Sequence, residues 1–329
     1  MEQCITRESR RSFIAFRLHS LDSYGSACEG QVVRSTKVNM TAGRWLGMLT
    51  LMIFILGIGY AAEAQESPAT PNILLILTDD QEASTLEYMP NVQTLADEGK
   101  TFENAIFTQP LCCPSRATIQ TGLYPHNSEI TGNAPPHGGW PVFARRGFQH
   151  STFATWLDDA DYNTAYFGKY MNGYSGTRSV DGWDRWVVYS APSGLGWSEY
   201  TNGTRQHRTK PMQAERMVRE KALGWLGVAS EGEEPFLGVV AFGAPHEPYP
   251  HPNATDEMFA GIRAPRNEGF NEADVSDKPA WVRKKPLMSG REIAAVDMDY
   301  RNALRSLVNV DRFVGEVIAS VPELDFGPF

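Results

Sequence analysis

The chain has 329 residues, 42% apolar and 21% charged, enough to bury a sizeable core in one large domain or two ordinary ones, which excludes wholesale disorder. A net charge of −9 excludes a general nucleic-acid-coating protein, because phosphate backbones demand a basic face. Four cysteines cannot staple so long a chain, and a single apolar run near the N-terminus excludes a polytopic membrane protein.

That run, Trp45 to Ala62, carries no charge. Arg44 precedes it, and Ala62-Glu63-Ala64 follows as a small-x-small triplet. This pattern predicts a secretory signal cleaved after Ala64, hence a secreted or periplasmic protein. The alternative is a membrane anchor over residues 45–62; without that anchor no stable membrane partner is expected. The A-x-A end and the polar stretch Gln65 to Thr70 favour cleavage. Residues 1–39 are long, mixed in charge and rich in Arg and Ser, unlike a signal n-region, so Met40 is the expected true start. The division is then 1–39 as a non-native upstream extension, 40–64 as signal and 65–329 as the exported part. That part has 23 basic and 34 acidic residues and keeps two cysteines, the adjacent Cys112 and Cys113.

Asn72 to Thr78 is a continuous apolar run, as in a strand buried on both faces of a parallel sheet. Pro90 to Gly99 predicts a short helix and Thr101 to Phe107 a second strand. Pro114 suits the first turn of a helix that starts just after Cys112 and ends at Gly122. Thr152 to Ala160 predicts a helix and Thr164 to Phe167 a strand. Residues 171–205, rich in Gly, Ser, Tyr and Trp, read as a long surface excursion. Met212 to Val228 predicts a helix, Phe236 to Phe242 a buried strand, 251–289 an irregular insertion and Arg291 to Val321 a long helix. Alternating strands and helices argue for an α/β fold, a mostly parallel central sheet flanked by helices.

Three polar groups follow predicted strands: Asp79-Asp80, the Cys112 loop and His246. Ligands of open α/β sheets bind outside the carboxyl ends of strands, where these groups can converge. Two adjacent carboxylates repel unless a positive charge lies between them, which Ca²⁺ or Mg²⁺ supplies; an isolated Asp-Asp is more often a solvated turn. Arg116, four residues after Cys112, shares its helix face, and an Arg beside free helix N–H groups makes an anion pocket. Alone, Cys112 reads equally as a small buried hydrophobe. A phosphatase C-x₅-R loop does not fit, since only three residues separate Cys112 from Arg116.

Cys112-Cys113-Pro114-Ser115-Arg116, with Thr121-Gly122, matches the C-x-P-S-R-x₄-T-G pattern of the sulfatase family, which the chain resembles from about Pro71 to at least Pro250. The flanks NILLILTDDQ and LYPHN are similar to the branch of N-acetylglucosamine-6-sulfatases and extracellular heparan sulfatases. The resemblance implies the alkaline-phosphatase-like fold and hydrolysis of sulfate esters. It implies that Cys112, in register with Pro114, is converted to formylglycine by a formylglycine-generating enzyme. One hydroxyl of the hydrated aldehyde would attack sulfur, and the other would later expel sulfate. Asp79 and Asp80 match metal ligands that, with the modified Cys112, would hold Ca²⁺ or Mg²⁺. Arg116 would hold the modified side chain, Lys169 of Phe167-Gly168-Lys169-Tyr170 would bind sulfate, and His246 of Pro245-His246-Glu247-Pro248 would protonate the leaving group. Taken singly, Lys169 reads as a surface lysine and His246 as an ordinary loop histidine.

The chain departs from that pattern at Asp161-Tyr162, where Gly-Tyr is usual, and at Met171, where His is frequent. It also lacks Asp-Asn-Gly in residues 290–329, the segment that would complete the metal shell. The expectation is a sequence truncated at its C-terminus that binds metal poorly as it stands. The implied substrate is a sulfated carbohydrate or an aryl sulfate. Tyr170, Tyr174, Trp183, Trp186, Trp197 and Tyr200 could stack on sugar rings, although core packing is the commoner fate of such residues. Two readings stand beside hydrolysis: a non-catalytic glycan-binding protein of sulfatase type, and a phosphate-ester hydrolase of the same superfamily. The latter usually carries Thr or Ser where Cys112 stands.

Overall fold

The computed structural model describes residues 13–14, 70–174, 180–188, 198–201, 204–205 and 211–320. All but Thr70 belong to one compact unit. The signal, anchor and start-site readings fall on residues outside the described ones.

The strands in chain order are β1 (Phe13–Ile14), β2 (Ile73–Leu77), β3 (Thr101–Phe102), β4 (Asn163–Gly168), β5 (Arg185–Val188), β6 (Ser198–Thr201), β7 (Thr204–Arg205) and β8 (Phe236–Ala241). The helices are α1 (Pro90–Glu98), α2 (Cys112–Thr121), α3 (Pro125–Ser128), α4 (Trp140–Arg145), α5 (Phe153–Asp158), α6 (Pro211–Ala229), α7 (Ala280–Arg283) and α8 (Gly290–Ser320). Six strands form the main sheet in the order β2-β8-β4-β5-β6-β7. β2, β8, β4 and β5 run parallel, and β6 and β7 close the far edge antiparallel.

Side-chain alternation explains why the central strands read as unbroken apolar runs. Leu74, Phe167, Phe236 and Val240 face a core shared with α1, α6 and α8. Leu237, Val239, Ala241, Tyr166 and Trp186 face the opposite core, shared with α2, α4 and α5. Buried positions on α8 at Tyr300, Leu304, Leu307, Val310, Val314 and Val317 keep the helical period, so one stripe of the long helix lies on the domain. Ser289 and Glu292 cap its start reciprocally: Ser289 N–H donates to Glu292 at 2.7 Å and Glu292 N–H to Ser289 Oγ at 3.3 Å. Asp311 on α8 caps α1, accepting from the Asn91 and Val92 N–H groups at 2.9 and 3.1 Å and from Asn91 Nδ2 at 2.8 Å.

Two elements differ from expectation. The predicted strand Thr101 to Phe107 shortens to Thr101–Phe102, which pairs only with Phe13–Ile14 among the described residues and lies outside the main sheet. Without a sheet to cover them its apolar side chains stay out, and Ile106 is 88% exposed. The supposed surface excursion 171–205 contains β5, β6 and β7, and β5 is buried from Trp186 to Val188. The 251–289 stretch is irregular, with only a single 3₁₀ turn at Asn253–Thr255 and α7. Among the described residues no helix is long and apolar enough to cross a membrane.

Candidate functional site

Chain connections at the carboxyl ends of β2, β4 and β8 build one site. The ladder continues past β2: Phe242 N–H donates to Leu77 O at 2.9 Å and Asp79 N–H to Ala244 O at 3.0 Å. Asp79 therefore points inward and is 5% exposed. Asp80 adopts a left-handed backbone, φ 61°, which turns its carboxylate away, and its side chain is 60% exposed. The two adjacent carboxylates are parted by backbone geometry. At the end of β4, Gly168 has φ 108°, and a Cβ there would stand 1.9 Å from Ala241 O, so only glycine lets the two strands meet. Lys169 N–H then donates to Ala241 O at 2.7 Å, turning the lysine side chain over the strand ends.

α2 brings the other groups. Cys112 is its first residue, rather than the residue before it, and Gly122 at φ 70° closes it in the left-handed C-terminal form. Cys113 N–H, one of the donors the helix start leaves unpaired, donates to Asn133 Oδ1 at 2.8 Å. Arg116, one turn on, is buried, and its Nη2 donates to Asp79 Oδ1 at 3.2 Å. The Lys169 ammonium donates to the other Asp79 oxygen and stands 3.6 Å from Cys112 Sγ. Lys169 O in turn accepts from Arg116 Nη1 and, at 2.6 Å, from the buried Tyr166 hydroxyl. Burial disfavours charge on Asp79, but Arg116 and Lys169 outweigh it and hold the carboxyl below its ordinary value.

His246 follows β8. Its Nδ1 lies 2.6 Å from Glu247 O, a pure acceptor, so the proton sits on Nδ1 and Nε2 faces the site, 3.5 Å from Asp80 Oδ2. The Cys112 sulfur, which the imidazole hydrogen-bonds, pushes it up to about 9; burial opposes this and the Glu247 carbonyl adds to it. Burial pushes the neighbouring Cys113 thiol up to about 11. Asp79, Cys112 and His246 each offer a ligand atom within 4.8 Å of the others. With Arg116 and Lys169 beside them, cationic groups outnumber the single buried carboxylate, an arrangement suited to an anion beside a nucleophile.

The family model for sulfatases matches residues 71–325. The chain belongs to the sulfatase family. It is 30% identical over 306 residues to an arylsulfatase of Volvox carteri, covering 83% of this chain and 47% of that protein. It is 29% identical over 264 residues to the human N-acetylglucosamine-6-sulfatase, covering 75% of this chain and 47% of that one. This sulfatase chain thus spans about half the length of the curated relatives it matches. A protein solved in complex with its substrate D-glucosamine-2-N,6-O-disulfate shares the fold, at TM-score 0.55 and 21% identity over 78% of this chain and 63% of that one.

The donors of this sulfatase do not by themselves fit a hard divalent cation. Asp79, Cys112 and His246 offer one oxygen, one sulfur and one nitrogen. Ca²⁺ takes six to eight oxygens. Both Asp79 oxygens are already engaged, and Asp80, read as a ligand, lies outside the cluster.

The sugar-stacking reading fails for four of its six aromatics. Tyr170, Tyr174, Trp183 and Trp186 are buried in one cluster, with Tyr170 and Trp186 centroids 4.9 Å apart. The Trp197 and Tyr200 side chains lie outside the described residues. Tyr166, Asn133 and Glu215 are contributors that the sequence reading does not single out; Asn133 and Glu215 reach the site elements from separate stretches of chain, and Tyr166 reaches Lys169 O from β4 itself.

Proposed function

We propose that the protein hydrolyses sulfate esters, through a formylglycine made from Cys112 by a formylglycine-generating enzyme. The observation carrying this is the meeting of Cys112, Lys169, Arg116 and His246 around one buried carboxylate, Asp79, in a sulfatase chain. The hydrated aldehyde supplies a hydroxyl nucleophile and a second hydroxyl whose ionisation releases sulfate. Lys169, already within 3.6 Å of the position-112 side chain, pairs with the sulfate oxygens. Arg116 neutralises charge and, by binding both Asp79 and Lys169 O, fixes the lysine's place. His246, with Nδ1 held by Glu247 O, delivers a proton from Nε2 to the leaving oxygen.

A Ca²⁺ or Mg²⁺ ion, with Asp79, Asp80 and the modified Cys112 as ligands, is a proposal that rests on family membership alone, since the donors as they stand do not fit it, and the chemistry here runs through none of it. Sulfated sugars are the proposed substrates, supported by the relatives' names, with aryl sulfates as convenient probes. We further infer that 65–329 is exported catalytic domain and 40–64 its signal.

The test is mass spectrometry of the tryptic peptide carrying Cys112 after co-expression with a formylglycine-generating enzyme, followed by assay on 4-nitrophenyl sulfate and glucosamine 6-sulfate. Loss of the thiol at position 112 together with sulfate release is expected. A Cys112→Ala variant with full activity would refute the proposal.

A further inference from the structure

Glu215 is a buried carboxylate on α6 that the chemistry above does not use. Around it α6 presents Ala214, Val218, Ala222 and Leu226 to the core, so an acidic side chain there is costly unless it is hydrogen-bonded. Its Oε1 accepts the N–H of Gly243 at 3.0 Å. Gly243 opens the turn after β8: its carbonyl accepts His246 N–H at 2.9 Å, and the next carbonyl, Ala244 O, accepts Asp79 N–H at 3.0 Å. One carboxylate thus anchors the turn that carries His246 and seats Asp79.

We propose that Glu215 is a positioning residue, holding the Gly243–His246 turn so that the imidazole stays against the side chain at position 112. Misplacement of a proton donor by about 1 Å costs catalysis on the order of a hundredfold. Leucine at 215 keeps the volume and removes the acceptor. Glutamine keeps an acceptor oxygen for Gly243.

The test uses the full chain with its thiol intact. Carboxamidomethylation of Cys112 is timed at one fixed pH, because an imidazole beside a sulfur raises its reactivity. Glu215→Leu should slow labelling by at least about fivefold and Glu215→Gln should stay within about twofold of wild type. Glu215→Leu should add nothing in a His246→Ala background, since the effect runs through that imidazole. Wild-type rates in Glu215→Leu, or slowing that multiplies with His246→Ala, overturn the proposal. If the leucine variant does not fold, amide exchange of the wild type decides. Gly243 N–H should exchange as slowly as the amides of β8, and exchange at the rate of an open loop overturns it.

A kinetic arm rests on the sulfatase reading. In the aldehyde-bearing enzyme, Glu215→Leu should lower kcat by at least about tenfold with KM unchanged, and Glu215→Gln should restore it. An unchanged kcat overturns the proposal. A wild type that cleaves no sulfate ester fails the sulfatase reading alone, because labelling and exchange still judge Glu215.

Discussion

Lys169→Ala tests the electrostatic heart of the site in a way that needs no activity. The ammonium is 20% exposed, its partner Asp79 is 5% exposed, and Arg116 still holds one Asp79 oxygen when the lysine is gone. Removing one partner of a fully buried pair costs about 3–5 kcal/mol, and an exposed pair is worth roughly 0–1 kcal/mol. With one cation remaining and one partner partly in water, the loss should fall between, at about 2 kcal/mol. The sign with pH follows from Asp79, whose folded-state pKa lies below the ordinary 3.8. Its contribution is fully present above 3.8 and is lost as pH falls through the folded value. Urea denaturation at a series of pH values should therefore show a loss that is constant near neutrality and shrinks below about pH 4. Equal stability of variant and wild type at pH 7, or a loss that persists undiminished in acid, would refute the pairing.

Other outcomes follow from features away from that pair. Asp311→Ala removes the acceptor of two N–H groups at the start of α1 and should cost about 2–3 kcal/mol by urea denaturation. Because Cys113 is buried with a thiol pushed up to about 11, iodoacetamide at pH 8 should label Cys112 in the folded protein, and Cys113 only after unfolding. Burial opposes charge on Asp297, yet Arg266 and the Ala264 N–H together hold its carboxyl below 3.8. Asp297→Asn should thus destabilise near neutrality and lose its effect in acid, as followed by thermal melting against pH.

The parallel core was legible because β8 is buried on both faces and β2 packs against a core on each, so an unbroken apolar run is their signature. α8 was legible from its stripe, and α2 from Pro114 and the glycine after it. Strand β5 was not legible: Arg185, Trp186, Val187 and Val188 form a short piece among glycines and aromatics, and its burial is decided by β4 alongside. The rule that ligands gather at strand ends anticipated the approach of Asp79, Cys112 and His246. It said nothing of Asp80 parting from its neighbour, which depends on one backbone angle. Nor could it show the supports. Asn133, Tyr166 and Glu215 act through contacts made only once the chain has folded, and their spacing carries no period.

The position of β2 at the end of the sheet has a practical consequence. Among the described residues it is bonded on one flank only, by β8, and the side chains of Ile73, Leu75, Ile76 and Leu77 are only half-covered. Open hydrogen-bonding groups on a hydrophobic strand template self-association. Purified alone, the chain should show light scattering that climbs with concentration, and a lysine at Ile76 should suppress it.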